Sequence, residues 1–250
     1  MQKPAVLITG ASSGIGFELA KIFAKNGYNL VLVSRDAQKL EKARKQLNGS
    51  GTIITIPKDL SDSRSAKELH RQIKNAGFEI EIIVNNAGVG VWGKFETQPL
   101  DKIEKMLALN IITLTSLTHI FLQDMVKNKK GKILNVASIV SFFPGPFMAG
   151  YCASKSYVLS FSQALSEELK GTEITVTTLC PGSTETNFHE RAGYGMKNAM
   201  SAEKAAMAGY RGLMRNKKII IPGIMNKIYT LTPRFLPRSS VLRIVRRIFA

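Results

Sequence analysis

The sequence predicts a doubly wound α/β fold: one domain, with a parallel sheet of about seven strands flanked by helices. Three observations carry the prediction. Short runs rich in Val, Ile and Leu alternate with longer amphipathic stretches along most of the chain. The runs lack clean period-2 alternation, as strands buried on both faces do. No Gly/Ser/Pro linker divides the 250 residues, a length that one α/β domain fills and that buries a core without disulfides or metal. Alternating β and α segments then imply parallel strands with right-handed crossovers.

The elements can be taken in order. Candidate strands are 5–9, 29–33, 52–56, 81–84, 131–136, 173–179 and 218–221, and candidate helices 15–26, 36–47, 62–75, 100–127, 151–169 and 201–215. The first strand ends in Thr9-Gly10-Ala11-Ser12-Ser13-Gly14-Ile15-Gly16, where a helix begins. Glycines 10, 14 and 16 stand where a tight turn, a close backbone approach and close helix–strand packing are needed. The free N–H groups and positive dipole end of the helix then face a pyrophosphate, with Gly10, Ser12, Ser13, Gly14, Ile15 and Gly16 as the candidate cradle.

The second strand ends in Ser34-Arg35-Asp36, at the place that meets an adenosine ribose. An acid there accepts bonds from the hydroxyls of NAD, whereas an Arg offers a fork to the 2′-phosphate of NADP. Arg35 comes first, after Ser34, and Asp36 is placed to cap the next helix, so NADP(H) is the expected cofactor. NAD(H), with Asp36 turned to the ribose, stays open as the alternative. After the third strand, Asp59 in Lys58-Asp59-Leu60 either bonds the adenine amino group or caps a loop. The fourth strand leads into Asn85-Asn86-Ala87-Gly88. The small residues there let a cofactor lie close to the backbone.

The fifth strand closes on Ser138, and Tyr151-Cys152-Ala153-Ser154-Lys155 opens a helix. Tyr151 and Lys155 are then i and i+4 on one face. A free tyrosine titrates near pH 10, too high for a proton shuttle, and a nearby ammonium favours the phenolate. Ser138 can bond a substrate carbonyl oxygen to which Tyr151 donates a proton. After the sixth strand, Pro181-Gly182-Ser183-Thr184-Glu185-Thr186 offers backbone N–H groups and the hydroxyls of Thr184 and Thr186 to a carboxamide and pyrophosphate.

In order and spacing, TGASSGIG, NNAG, the Asn of Leu109-Asn110, Ser138, YxxxK and the Pro-Gly turn resemble the short-chain dehydrogenase/reductase family. The likeness runs from about residue 4 to residue 221. It implies a Rossmann fold with strand order 3-2-1-4-5-6-7 and 4-pro-S hydride transfer. It also implies that Asn110 completes a tetrad with Ser138, Tyr151 and Lys155 by holding a water that links Lys155 to a proton relay. Residues by themselves do not single out Asn110. Many members are dimers or tetramers through helices corresponding to 100–127 and 151–169. One departure is that Ser13 stands where some NADP-preferring members carry a basic residue, which leaves Arg35 most of the 2′-phosphate recognition.

Phe142, Phe143, Phe147 and Met148 beside the catalytic strand suggest an apolar pocket wall, as do Phe188, Tyr194 and Met196 in the loop after Gly182. Met200, Met207 and Met214 follow in or near the next helix. All of these serve equally as core. The expected substrate is a hydrophobic ketone, aldehyde or alcohol. A catalytically silent nucleotide-binding regulator or membrane-surface protein is the competing class, and an isomerase using the same cofactor stays open within the enzymes.

Charge is uneven. Residues 191–250 hold thirteen Lys/Arg against one acid, Glu203, so twelve of the seventeen net positive charges lie there. In Ser239–Ala250, Val241, Ile244, Val245 and Ile248 fall at helical spacing between Arg243, Arg246 and Arg247. The tail 226–250, outside a catalytic domain 1–225, is thus basic and amphipathic, and its stretch 239–250 reads as a short helix for weak membrane contact, or as a helix packed on its own domain or a partner subunit. Nucleic acid is not expected, since no recognition module accompanies the charge. Cys152, Cys180, His70, His119 and His189 lack metal-ligand spacing, so no metal site is expected. No charged-then-apolar leader and no apolar run of about 20 residues is seen, so a cytoplasmic protein is expected.

Overall fold

The computed structural model describes residues 3–62, 64–185 and 199–249. In chain order the elements begin β1 (Lys3–Thr9), α1 (Gly14–Lys25), β2 (Asn29–Ser34), α2 (Ala37–Lys45), β3 (Ile53–Pro57), α3 (Ser65–Asn75) and β4 (Phe78–Asn85). One long helical segment follows, made of α4 (Leu100–Leu107), a π-helical stretch over Ala108–Thr113 and α5 (Leu114–Lys127). Then come β5 (Gly131–Val136), α6 (Ala149–Glu168), β6 (Ile174–Leu179), β7 (Thr184–Glu185), β8 (Met200–Ser201), α7 (Ala202–Met214) and β9 (Ile219–Ile220). Two helices end the chain, α8 (Ile224–Phe235) and α9 (Arg238–Phe249).

Seven strands form one parallel sheet in the order β3-β2-β1-β4-β5-β6-β9. This is the expected doubly wound order, with β9 as seventh strand; β7 and β8 pair separately. Alternate residues feed a core on each face. From β1, Ala5 and Leu7 join Val31, Ile83, Phe121 and Ile133, while Val6 and Ile8 join Leu19, Phe23, Leu32 and Leu134 on the other side. Phe23 and Phe121 are fully buried, each worth on the order of 2–3 kcal/mol.

β4 begins at Phe78, three residues before its expected start, because Phe78 and Ile80 point inward and Glu79 and Glu81 do not. The alternating glutamates interrupt the apolar run over those first residues. The segment Leu100–Lys127 is long and apolar enough to cross a membrane, yet α5 sets Leu114, Leu117, Phe121 and Met125 into the domain core. Helix α8 is not among the expected helices, and Pro222, Pro233 and Pro237 stand in or beside it. Pro233 lies inside the helix and has no N–H for the Tyr229 carbonyl. The Thr232 hydroxyl supplies the missing donor at 2.6 Å.

Candidate active site

The site stands at the carboxyl ends of the strands, where open α/β sheets bind ligands. Thr9 ties the tips of β1 and β4 together: its hydroxyl donates to the Val84 carbonyl at 3.2 Å and accepts from the backbone N–H groups of Asn86 and Ala87, each at 3.0 Å. The Asn86 amide donates to the Thr9 and Gly10 carbonyls at 3.0 and 3.3 Å. Gly10 turns the chain at φ +67°, a left-handed angle costly for other residues. At Gly16 a Cβ would fall 2.4 Å from the Asn86 amide nitrogen and 2.4 Å from the Gly10 oxygen, so only glycine lets α1 come this close.

Helix α1 starts without a side-chain cap from Ser13 and without an acid in its first turn. Its N-terminal N–H groups are thus left to an anion, and Gly14, Ile15 and Gly16 begin the helix there. This donor set fits a pyrophosphate. Beside it, the Ser12 and Ser34 hydroxyls are 2.8 Å apart.

Arg35 and Asp36 divide at the β2 tip. Asp36 caps α2, accepting from the Lys39 backbone N–H at 2.9 Å and pairing with its ammonium at 3.2 Å; those bonds hold its carboxyl below the ordinary value. Arg35 is exposed and has no ion pair among the described residues. Asp59 lies near enough for the Arg35 charge to help hold its carboxyl low, after the larger effect of the Ser61 backbone N–H. One oxygen of Asp59 takes both the Ser61 N–H and hydroxyl, at 2.9 and 2.7 Å. Leu60 is buried, and its carbonyl accepts from Thr113 and Ser65.

Ser138, Tyr151, Lys155 and Asn110 come together below the tips of β4 and β5. The Ser138 side chain lies close enough to act on the Tyr151 phenol. The Ser138 hydroxyl also donates to the Pro181 carbonyl at 3.4 Å and accepts from the Val140 N–H at 3.3 Å. One turn along α6, the Lys155 ammonium sits 5.9 Å from the Tyr151 ring centre and donates to the Val136 carbonyl at 2.8 Å. Asn110, buried in the π-helical stretch, accepts from the Val89 N–H at 3.1 Å and donates to the Val89 carbonyl and the Ser154 hydroxyl at 2.9 and 3.1 Å. Gly88 makes room: a Cβ there would lie 3.1 Å from the Asn110 carbonyl oxygen and 3.3 Å from the Lys155 nitrogen.

Burial sets the electrostatics. It lowers Lys155 to about 8, against the opposing pull of Cys180. It raises Tyr151 above the ordinary phenol value, with Cys152 adding to the rise and the Ser138 side chain opposing it. The i, i+4 spacing leads to the expectation that the ammonium lowers Tyr151; burial raises it instead. Burial pushes the Cys152 and Cys180 thiols up to about 12, so both are protonated at neutral pH.

Beyond Ser138, the Pro181 carbonyl accepts from the Ile139 N–H at 3.0 Å. The Thr184 hydroxyl donates to the Gly182 carbonyl at 3.0 Å, leaving its own oxygen to accept. Thr186, Phe188, Tyr194 and Met196 lie outside the described residues.

A family model described as short chain dehydrogenase matches residues 4–197. The chain belongs to the short-chain dehydrogenase/reductase family. Among its relatives, human dehydrogenase/reductase SDR family member 7 is 34% identical, over 85% of this chain and 62% of its own. Estradiol 17-beta-dehydrogenase 11 of Macaca fascicularis is 32% identical, over 97% and 82%. This chain thus spans under two thirds of the first and most of the second. A short-chain dehydrogenase from Sphingobium yanoikuyae, solved in complex with NADPH, superposes with a TM-score of 0.81 at 30% identity, covering 94% of this chain and 97% of that one. The bulky-bulky ketone specific alcohol dehydrogenase from Comamonas testosteroni gives 0.79 at 30% identity, covering 94% and 96%.

The polar groups adjoin an apolar wall. Tyr151 packs in one cluster with Val140, Met148 and Cys152, bordered by Val89, Val91, Trp92, Phe143 and Phe249. Phe143 and Met148 were expected there. Phe142 instead joins the Leu114 and Val158 cluster, and Met214 is exposed. Sequence reasoning missed Val91, Trp92 and Phe249. Only the run of apolar residues after Asn85-Asn86-Ala87-Gly88 hinted at the first two, and nothing local marks Phe249.

Proposed function

We propose that this chain is an NADP(H)-dependent oxidoreductase acting on a hydrophobic ketone, aldehyde or alcohol, with Tyr151 as general acid/base. The observation that carries the reading is the buried cluster in which the Lys155 ammonium stands 5.9 Å from the Tyr151 ring centre, one turn along α6, with buried Ser138 just past the end of β5. Gly10, Ser12, Ser13, Gly14, Ile15 and Gly16 would hold the pyrophosphate, Ser34 and Arg35 the ribose phosphate, and Asp59 and Leu60 the adenine side. Asn86, Ala87, Gly88, Tyr151, Lys155, Pro181, Gly182, Thr184 and Thr186 would line the nicotinamide half. When bound, that ring gives or takes the hydride.

The chain's own part is proton handling. Ser138 orients a carbonyl oxygen toward Tyr151, whose phenol is protonated at neutral pH and donates to that oxygen. Lys155 supplies positive charge beneath it, and Asn110, held by both backbone groups of Val89, would hold the water that links Lys155 to a proton relay. The apolar wall around Tyr151 and the 30% identity to a bulky-ketone enzyme support a hydrophobic substrate. The partly exposed Ile112 and Tyr157 support a homodimer through Leu100–Lys127 and α6.

Tyr151→Phe should leave NADPH binding intact and lower kcat on a panel of hydrophobic carbonyls by about 10²–10⁴-fold. Wild-type NADPH binding without turnover of any of them would favour the regulatory reading. Arg35→Ala should weaken NADPH binding by about 10–100-fold, as loss of a charged hydrogen bond does, with little change for NADH. Titration of intrinsic fluorescence reads both, and equal losses for the two nucleotides would assign the ribose to another residue.

A further inference from the structure

Helix α8 is inside out for a water-facing helix. Its inward face carries Asn226, Thr230 and Pro233, with Thr230 buried. Its outward face carries Ile224, Met225, Ile228, Tyr229, Leu231 and Phe235, between 45% and 81% exposed. A helix of a soluble domain turns its apolar stripe to the core, and contiguous apolar patches of this kind mark interaction surfaces. Helix α9 continues the patch. It buries Val241 and Val245 against the domain and leaves Leu242, Ile244 and Ile248 outside.

The patch is basic throughout. Lys227, Arg234, Arg238, Arg243, Arg246 and Arg247 lie in or between the two helices, and no acid occurs after Glu203. A second copy of this surface would set like charge against like. Each helix has 12 residues, or about 18 Å, against a hydrocarbon core of about 30 Å. Neither can span it; both can lie in an interface.

We propose that the outward faces of α8 and α9 form a docking surface for an anionic lipid bilayer. The apolar side chains enter the acyl boundary, and the six cations meet the headgroups. The backbone suits this setting, since the Tyr229 carbonyl left open by Pro233 is satisfied internally by Thr232. A groove of 570 Å³ between α9 and the segments 94–96 and 146–147, lined by Lys94, Arg243 and Arg246 and by one acid, Glu96, gives a headgroup room beside the patch. Docking by this face also orients the active site. Helix α8 packs on Ile139–Phe142, next to Ser138, and the Asn226 side chain abuts Gly182.

The test is co-sedimentation of the full chain with vesicles of phosphatidylcholine alone and of phosphatidylcholine with 30% phosphatidylserine. It does not depend on the enzymatic reading. Binding should be at least about tenfold tighter to the anionic vesicles and should fall as salt shortens the screening length. Ile228→Asp with Phe235→Asp should lower it by about tenfold or more with an unchanged melting temperature, since both side chains face outward. Arg243→Glu with Arg246→Glu and Arg247→Glu should abolish the preference for phosphatidylserine. Absence of wild-type binding, equal binding to both vesicles, or apolar variants that bind like wild type would each overturn the proposal. So would a wild-type dimer without vesicle binding that Ile228→Asp with Phe235→Asp makes monomeric.

Discussion

At the residue scale, Lys155 joins function and stability. Its folded value of about 8 lies below the ordinary 10.5, so the unfolded chain binds more protons between pH 8 and 10.5. Stability therefore rises with pH through that window; the burial penalty is fully present below 8 and gone above 10.5. Lys155→Met should raise stability near pH 7 by about 1–2 kcal/mol, net of the open Val136 carbonyl, while removing most turnover. Denaturant melts at pH 7 and pH 10 check this: the gain should shrink at the higher pH. Carbonyl reduction by wild type should hold level up to about pH 8 and decline above it as Lys155 loses its charge. Tyr151, held above its ordinary value, keeps its proton across that range. A rate that rises above pH 8 would remove Lys155 from the proposed role.

At the element scale, the β1–α1 turn is set by contact distance more than by propensity. Gly16→Ala would press a methyl group against the Gly10 carbonyl and the Asn86 amide. Both are tied to β1 and β4, so the helix must shift. The expected cost is about 1–3 kcal/mol of stability together with weaker binding of both NADPH and NADH, since the moved element carries the pyrophosphate cradle. Thermal melts with and without nucleotide separate the two effects. A variant with normal affinity would show that the cradle tolerates the shift. A buried side-chain chain of the same kind crosses the sheet, where the Asn85 amide donates to Asn135 at 2.8 Å and the Asn135 amide to Ser162 at 2.9 Å. It fastens β4 and β5 to α6 just below the tips that hold Ser138 and Gly88.

At the scale of the whole molecule, the C-terminus completes the wall of the site. The Trp92 indole donates to the Phe249 carbonyl at 3.3 Å, across 157 residues. Val241 and Val245 are buried beneath α9. A chain ending at Leu236 should lose about 2–4 kcal/mol, the burial of those valines and part of Phe249. Trp92, the single tryptophan, should shift its emission to the red, and KM for hydrophobic carbonyls should rise more than kcat falls. An unshifted emission would mean that Trp92 is covered from elsewhere.

The sequence by itself determined the α/β alternation, the glycine turn, the Tyr151/Lys155 pair and the basic bias of the last sixty residues. Each is a local pattern: a period, a spacing or a composition. The same local reading separated Asp36, one residue before its helix, from Arg35. Tertiary structure decided what depends on distant partners. Asn110 acquires its place because Val89 and Ser154 meet it on a π-helical turn, and no local signal carries those contacts. Burial reversed the expected direction of Tyr151, since desolvation is a property of the packed cluster. In the tail, Val241, Ile244, Val245 and Ile248 look alike at helical spacing, yet only Val241 and Val245 turn inward. Periodicity names the residues of a face, but which side meets the protein depends on where the rest of the chain has packed.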